Sequence, residues 1–306
     1  MKSANSAAEP LRGLSAFPLT PIADHRVDET AYARIVGRLA AARVDTITAL
    51  GSTGSYAYLT RAERARVAAL AVEHAGATPV VVGIGALRTE HVLEHAADAE
   101  AAGAAALLLA PMTYQALTAD DVYGLFDDVT SAVSLPVILY DNPGTTHFAF
   151  TEELYAAIAR LPRVTSIKIP ALPADSAAAA DRVQRLRQVL PAHVTIGVSG
   201  DASAATGLSA GCDAWYSVIA GTLPEPALAI TRAAQAGRAD EAAALSARLA
   251  PLWELFAEHG SLRVTAAIAE HLDLARPYCL PLPIKGLGDA DRRRVARVVE
   301  ELGLGR

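Results

Sequence analysis

Short runs rich in valine, isoleucine and leucine recur along the chain and alternate with longer alanine, arginine and glutamate segments of helical period. The apolar runs are Gly13–Pro18, Thr46–Leu50, Pro79–Ala86, Ala105–Pro111, Pro136–Asn142, Val164–Pro170, Val194–Gly200 and Asp213–Ala220. Near-continuous hydrophobicity over so few residues marks strands buried on both faces, and their alternation with helices marks repeated βα units. Between them Asp28–Ala42, Thr60–Ala75, Glu90–Ala102, Ala119–Val133 and Thr151–Arg160 read as helices, each entered from a turn residue or from a Ser, Thr or Asp able to cap it. Thr60-Arg-Ala-Glu63 and Thr151-Glu-Glu-Leu154 also put a capping hydroxyl ahead of an acid in the first turn. Eight βα units predict an α/β fold, the closed (β/α)8 TIM barrel. After Pro226 the strand signals stop, and Ala227–Ala236, Ala239–Glu258, Leu262–Glu270 and Ala290–Leu302 read as helices. Residues 1–226 are therefore expected to form the barrel and its site, and residues 227–306 a C-terminal helical appendage.

The length of 306 residues suits this division, since a barrel of about 250 residues leaves a modest remainder. The chain is 52% hydrophobic, but alanine supplies much of that, and no uncharged stretch approaches the ~20 residues that cross a bilayer. The N-terminus lacks the apolar core of a signal peptide, and Cys212 and Cys279 have neither metal nor redox spacing. A protein of the reducing cytoplasm is expected. A net charge of −6, with Arg292-Arg293-Arg294 the one basic cluster, gives nucleic acid and membranes little to grip and points to small-molecule chemistry.

Glycine and proline gather where strands end, at Gly51-Ser-Thr-Gly54, Asn142-Pro-Gly144 and Ser199-Gly-Asp201, and barrel active sites lie at that end of the strands. The chain has 24 arginines but only three lysines, Lys2, Lys168 and Lys285, and Lys168 falls inside the apolar run Val164–Pro170. Strand alternation puts Ser166, Lys168 and Pro170 on one face and Ile167 and Ile169 on the other. If the isoleucines face the helices, the amine points into the barrel, where desolvation lowers its pKa and leaves a nucleophile able to form an imine with a carbonyl. The alternative is a charge at a strand end that reaches solvent. The same alternation allows Tyr140 to project inward one strand earlier, as a proton carrier or as packing. Gly51-Ser52-Thr53-Gly54 is either a plain tight turn or a cradle of hydroxyls and backbone N–H groups for an anion. His147, close behind Tyr140, is a polar group for substrate or a solvent-facing loop residue.

These pieces, in this order, resemble the dihydrodipicolinate synthase / N-acetylneuraminate lyase family of class I, pyruvate-type aldolases. The resemblance runs from Leu14 to about Pro226 and rests on Thr20-Pro21, Gly51–Gly54, Leu109-Ala-Pro111, Tyr140-x-x-Pro143, Ile167-Lys-Ile169, Ser199-Gly-Asp201 and Ser217-Val218. It implies that Lys168 forms the imine with pyruvate or a related 2-oxo acid, that Tyr140 and Ser52 relay protons, and that Thr53 holds the oxo-acid carboxylate. Gly51, Gly54 and Gly200 would line the substrate, and the backbone carbonyl of Tyr216 would contact it. A covalent imine through Lys168 would then need no metal or organic cofactor. The resemblance also implies a homotetramer in which a tyrosine from a neighbouring subunit joins the relay, a place that Tyr114 could take. Two departures bear on the second substrate. The synthases carry an arginine for the aldehyde's carboxylate where this chain has Thr145, and the glutamate usual after the glycine-flanked hydroxyls is Ser55. The expected activity is aldol condensation or cleavage on a 2-oxo acid, with dehydration or cleavage of a 2-oxo-3-deoxy sugar acid as a rival and a catalytically silent small-molecule-binding barrel as another.

Two further strings are read as structural. His91-Val-Leu-Glu94-His95 spells an inverted zinc-protease motif, but lies in an outer helix without an evident third ligand. Gly83-Ile-Gly-Ala-Leu-Arg88 starts like a dinucleotide loop yet has arginine where the third glycine belongs. Lys285, among prolines and glycines, reads as surface charge.

Overall fold

The computed structural model describes residues 11–305. Parallel strands β1 (Gly13–Ala16), β2 (Thr46–Ala49), β3 (Val80–Gly83), β4 (Ala106–Leu109), β5 (Val137–Tyr140), β6 (Val164–Ile169), β7 (Thr195–Val198) and β8 (Ala214–Ser217) each pair with their neighbours in sequence. β8 closes on β1, with Gly13 beside Ala214 and Ala16 beside Ser217. All eight apolar runs are strands, and the fold is the (β/α)8 barrel with C-terminal helices that their rhythm predicts.

Alternation divides each strand between two cores. Ile47, Leu107, Leu139, Ile167, Val198 and Trp215 face outward and pack under the helices, whereas Val81, Leu108, Ile138, Tyr140 and Tyr216 fill the interior with Phe17. Buried interior hydroxyls are tolerated because they pair, each lone one otherwise costing about 1–3 kcal/mol. Ser15 Oγ lies 2.7 Å from Thr48 Oγ1, and Ser166 Oγ lies 2.8 Å from Tyr216 Oη. Bulk is balanced in the same way: a Cβ at Gly197 would stand 2.1 Å from the Tyr216 ring, so glycine on β7 makes room for tyrosine on β8.

The outer ring comprises α1 (Glu29–Ala42), α2 (Arg61–His74), α3 (Thr89–Ala102), α4 (Ala119–Ala132), the single turn α5 (Pro143–Thr146), α6 (Glu152–Ile158), α7 (Ser176–Val189), α8 (Ala204–Ser209) and α9 (Pro224–Gln235). Thr60 and Glu63 form the reciprocal capping box at the start of α2, and Thr151 accepts from the Leu154 amide at the start of α6. Helix α7 stands where the sequence pattern assigns none. Asp175 caps it, and it buries Ala179, Val183 and Leu186 along one stripe. Helix α9 packs on β1, α1 and α8 and so serves as the eighth helix of the ring. Helix α9 runs across position 226.

The tail holds α10 (Ala239–Arg248), α11 (Ala250–His259), α12 (Ser261–His271) and α13 (Asp289–Glu301). The single helix expected over Ala239–Glu258 is broken at Leu249. Pro251 in the first turn of α11 has no N–H to continue the ladder, and its ring excludes the carbonyl four residues back. Trp253 Nε1 donates to the Ser246 carbonyl at 3.0 Å, linking the two helices across the break. Helix α12 buries Ala266 and Ala269 against Leu19 and Ile35, and α11 packs on the turn that follows β7, so the tail braces the rim where the strands end. Both cysteines are buried and free, and burial pushes each thiol up to about 12, so neither is a ready nucleophile. Among the described residues no helix is long and apolar enough to cross a membrane.

Candidate active site

Lys168 points into the barrel near the carboxyl end of β6 and is only 4% exposed. Ile167 and Ile169 on either side belong to the outer core, which settles the choice left by the sequence between an inward amine and one that reaches solvent. Its cross-strand neighbours are Tyr140 on β5 and Gly197 on β7. Nζ sits 4.1 Å from the centre of the Tyr140 ring and 5.4 Å from that of Phe17, so two aromatic faces take the place of water. Burial pulls the ammonium down to about 7, against the buried carboxylates of Asp201 and Asp141, which favour the charged form. An amine in this state is largely neutral just above neutral pH, where a free lysine is almost wholly protonated.

The Tyr140 phenol stands at the junction of a polar chain. Its Oη is 3.3 Å from Ser52 Oγ, and Asn142 Nδ2 donates to it at 2.8 Å. Burial pushes the phenol well above its ordinary value, while the hydrogen bonds with Ser52 and Asn142 oppose that rise. Tyr140 therefore keeps its proton at neutral pH and can lend it to a neighbour. Ser52 opens the turn after β2, closed by the Ser55 amide donating to the Ser52 carbonyl at 3.0 Å. Thr53 in that turn is buried. Gly51 is there because of Phe17: a Cβ at 51 would lie 2.5 Å from that ring, the one that flanks the lysine.

On the opposite wall Asp201 is 5% exposed and anchors the rim. It accepts from Trp215 Nε1 at 2.9 Å, from the Ile219 amide at 2.8 Å and from the Val218 amide at 3.2 Å. Gly200 before it has φ +81°, and a Cβ there would meet that of Ala171 at 2.7 Å, so both conformation and space require glycine. Tyr216 lies beneath this level, its ring beside Gly197 and edge-on to Phe17 with centroids 6.0 Å apart.

The fold thus brings Lys168, Tyr140, Ser52, Thr53, Gly51, Gly54, Gly200 and Tyr216 to one end of the barrel. Thr145 joins through its hydroxyl, which accepts from Asn142 Nδ2 at 2.9 Å. Tyr114 does not: it is 88% exposed in the loop after β4 and is not among the hydroxyls that meet at Tyr140. His147 is exposed, and its amide closes α5 by donating to the Pro143 carbonyl at 3.0 Å. Lys285 is an exposed residue of the tail. Asn142 and Asp201 are the members that the sequence reading leaves without a role. Each sits in a strand-end motif already singled out, and only the fold reveals what its side chain reaches.

The two motifs read as structural stay outside this cluster. Glu94 pairs with Arg61 at 2.9 Å. Burial and the nearby Arg64 push His95 down to about 4, which leaves it neutral. Arg64 donates to the carbonyls of Gly83 and Gly85, both at 2.9 Å, so these glycines serve a buried arginine. Among the described residues no group of three or more His, Cys, Asp or Glu side chains converges as a metal ion requires.

Residues 10–302 match the model of the Dihydrodipicolinate synthetase family. A 4-hydroxy-tetrahydrodipicolinate synthase from Methylobacterium radiotolerans is 30% identical over 298 residues, covering 95% of this chain and 97% of the relative. One from Hyphomonas neptunium is 34% identical over 237 residues, 76% of this chain and 78% of the relative. The crystal structure of a dihydrodipicolinate synthase from Agrobacterium tumefaciens matches with a TM-score of 0.91 and 47% identity, covering 95% of this chain and 98% of that one. These likenesses make the protein a lyase of the class I aldolase type, and the chain belongs to the dihydrodipicolinate synthetase family.

Proposed function

We propose that this enzyme forms an imine between Lys168 and pyruvate or a related 2-oxo acid, and makes or breaks a bond on the enamine that follows. The buried Lys168 amine against the Tyr140 ring carries this reading. The neutral amine attacks the 2-oxo carbon, and the resulting carbinolamine loses water once its hydroxyl has been protonated. The iminium then draws electrons from C3 as a proton leaves there, which gives the enamine. Tyr140 and Ser52 are placed to carry protons through these steps, and the buried Thr53 with the turn amides to hold the carboxylate. The lysine itself serves as electron sink.

With Thr145 where the synthases have an arginine, position 145 offers a second carboxylate no guanidinium fork. This favours an acceptor recognised through hydroxyl or carbonyl groups, either an aldehyde lacking that carboxylate or a 2-oxo-3-deoxy sugar acid that loses water or is cleaved. The exposure of Tyr114 is in keeping with delivery to the site of a neighbouring subunit in a homotetramer.

Incubation with pyruvate and cyanoborohydride, followed by intact-mass and peptide analysis, tests the reading. A reduced adduct on Lys168 is expected, and no mass shift at saturating pyruvate sinks the imine mechanism. The adduct should form faster as pH rises through about 7 and then level off. A rate that keeps climbing toward pH 10 would mean an ordinary lysine.

The enamine also exchanges the C3 hydrogens of pyruvate with solvent, which proton NMR in deuterium oxide follows without any second substrate. Tyr140→Phe should slow that exchange by about 10²–10³-fold, the usual worth of a placed acid or base, while the adduct still accumulates on long incubation. Exchange at the unaltered rate would remove Tyr140 from the relay.

A further inference from the structure

Asn142 is neither acid, base nor nucleophile, and in the sequence it passes for a turn residue ahead of Pro143. Its backbone does hold that turn: the Asn142 carbonyl accepts from the Thr145 and Thr146 amides, both at 2.9 Å, and from Thr146 Oγ1 at 3.0 Å. Its side chain does something else. It folds back over the end of β5, where Nδ2 reaches Tyr140 Oη at 2.8 Å, Thr145 Oγ1 at 2.9 Å and Ser52 Oγ at 3.3 Å.

A primary amide nitrogen has two hydrogens to give and nothing with which to accept. The two short contacts use those hydrogens, and Ser52 shares one at longer range. Each hydroxyl so met must present its oxygen to Asn142, and its own hydrogen is then free to point elsewhere. With the amide reversed, three hydroxyls would compete for the lone pairs of one oxygen, and Tyr140 would spend its proton on the turn. In the donating orientation the protons of Tyr140 and Ser52 are left for each other and for a molecule bound at Lys168. An N–H aimed at the phenol oxygen also stabilises that oxygen after its proton has gone, offsetting part of what burial adds.

We infer that Asn142 is a positioning residue of the proton relay, whose amide fixes the direction of the Tyr140–Ser52 hydroxyl chain and makes the Tyr140 proton easier to give. The inference rests on the imine reading and adds to it a group that acts through Tyr140.

Because the turn is held by the backbone of residue 142, replacing its side chain separates relay from scaffold. Asn142→Leu keeps the volume and removes the donor, so C3 exchange of pyruvate at saturation should fall by about 10–100-fold, with KM for pyruvate changed less than about threefold. Asn142→Asp reverses the polarity: once ionised its carboxylate claims the hydroxyl protons, so its exchange should be slower than that of the leucine variant near pH 8. Relative to the wild type at the same pH, it should recover as pH falls and the carboxyl regains a hydrogen to donate. Cyanoborohydride trapping runs alongside. If the wild-type protein traps no pyruvate, the imine reading itself fails. Where it traps pyruvate and Asn142→Leu exchanges at the wild-type rate, the inference alone falls. A slower Asn142→Leu with no acid recovery of Asn142→Asp relative to the wild type also overturns it, leaving Asn142 a turn residue.

Discussion

A Lys168→Met variant will trap no pyruvate and will lose C3 exchange by at least about 10⁴-fold, because the substitution removes the imine nitrogen. The same variant will be more stable than the wild-type protein at pH 6. In the folded state the ammonium is pulled down to about 7 from an ordinary 10.5, chiefly by burial. Between those two values the unfolded chain binds more protons than the folded one, so stability rises with pH across the window. Below pH 7 the penalty is fully present; above about 10.5 it is gone. A separation of this size amounts to about 3–5 kcal/mol. Methionine fills the space without the charge and escapes that cost, although Asp141 loses a cation that helps to offset its own burial. Denaturant melts at pH 6 and pH 10 should therefore show a gap between the two proteins that narrows as pH rises. An equal gap at both values would mean that the amine is solvated in the folded protein, and an adduct persisting in the methionine variant would move the chemistry to another residue.

Much of this was legible in the sequence, for a physical reason. A barrel strand must alternate between two buried faces, so one charged residue in Val164–Pro170 has only two places to go, and the isoleucines on either side take the outer one. The eight strands were legible on the same ground. Helix α7 was not, because its buried stripe of Ala179, Val183 and Leu186 begins inside a run of alanines that shows little contrast between faces. The break at Leu249 could have been read from Pro251, whose cost inside a helix outweighs the helical propensity around it. Asn142 and Asp201 are a different case. Asn142 acquires its role from Ser52, distant in sequence and brought near by the closing of the sheet, and Asp201 acquires its own from donors on and after β8. Local pattern marks where such a residue sits and is silent about what it reaches.

Asp201 shows how much the site depends on its frame. Its carboxylate gathers the Trp215 indole and the amides of Val218 and Ile219, and so ties the end of β7 to β8 and to the turn that leads into α9. Asp201→Ala leaves these donors facing a void, at about 1–3 kcal/mol for each one that water cannot reach, and a loss of about 3–5 kcal/mol in unfolding free energy is expected. The substitution also removes the larger of the two carboxylate contributions that keep Lys168 protonated. The amine should then titrate below its wild-type value, and adduct formation with pyruvate should reach its plateau at lower pH. Asp201→Asn keeps an acceptor oxygen but turns an NH₂ toward other donors, so it should fall between the alanine variant and the wild type in stability while moving the titration the same way. Urea melts combined with the pH dependence of cyanoborohydride trapping measure both effects on the same preparations. A wild-type melting midpoint in Asp201→Ala would show that the rim is held by other means, and a plateau displaced to higher pH would mean that Lys168 does not feel this carboxylate.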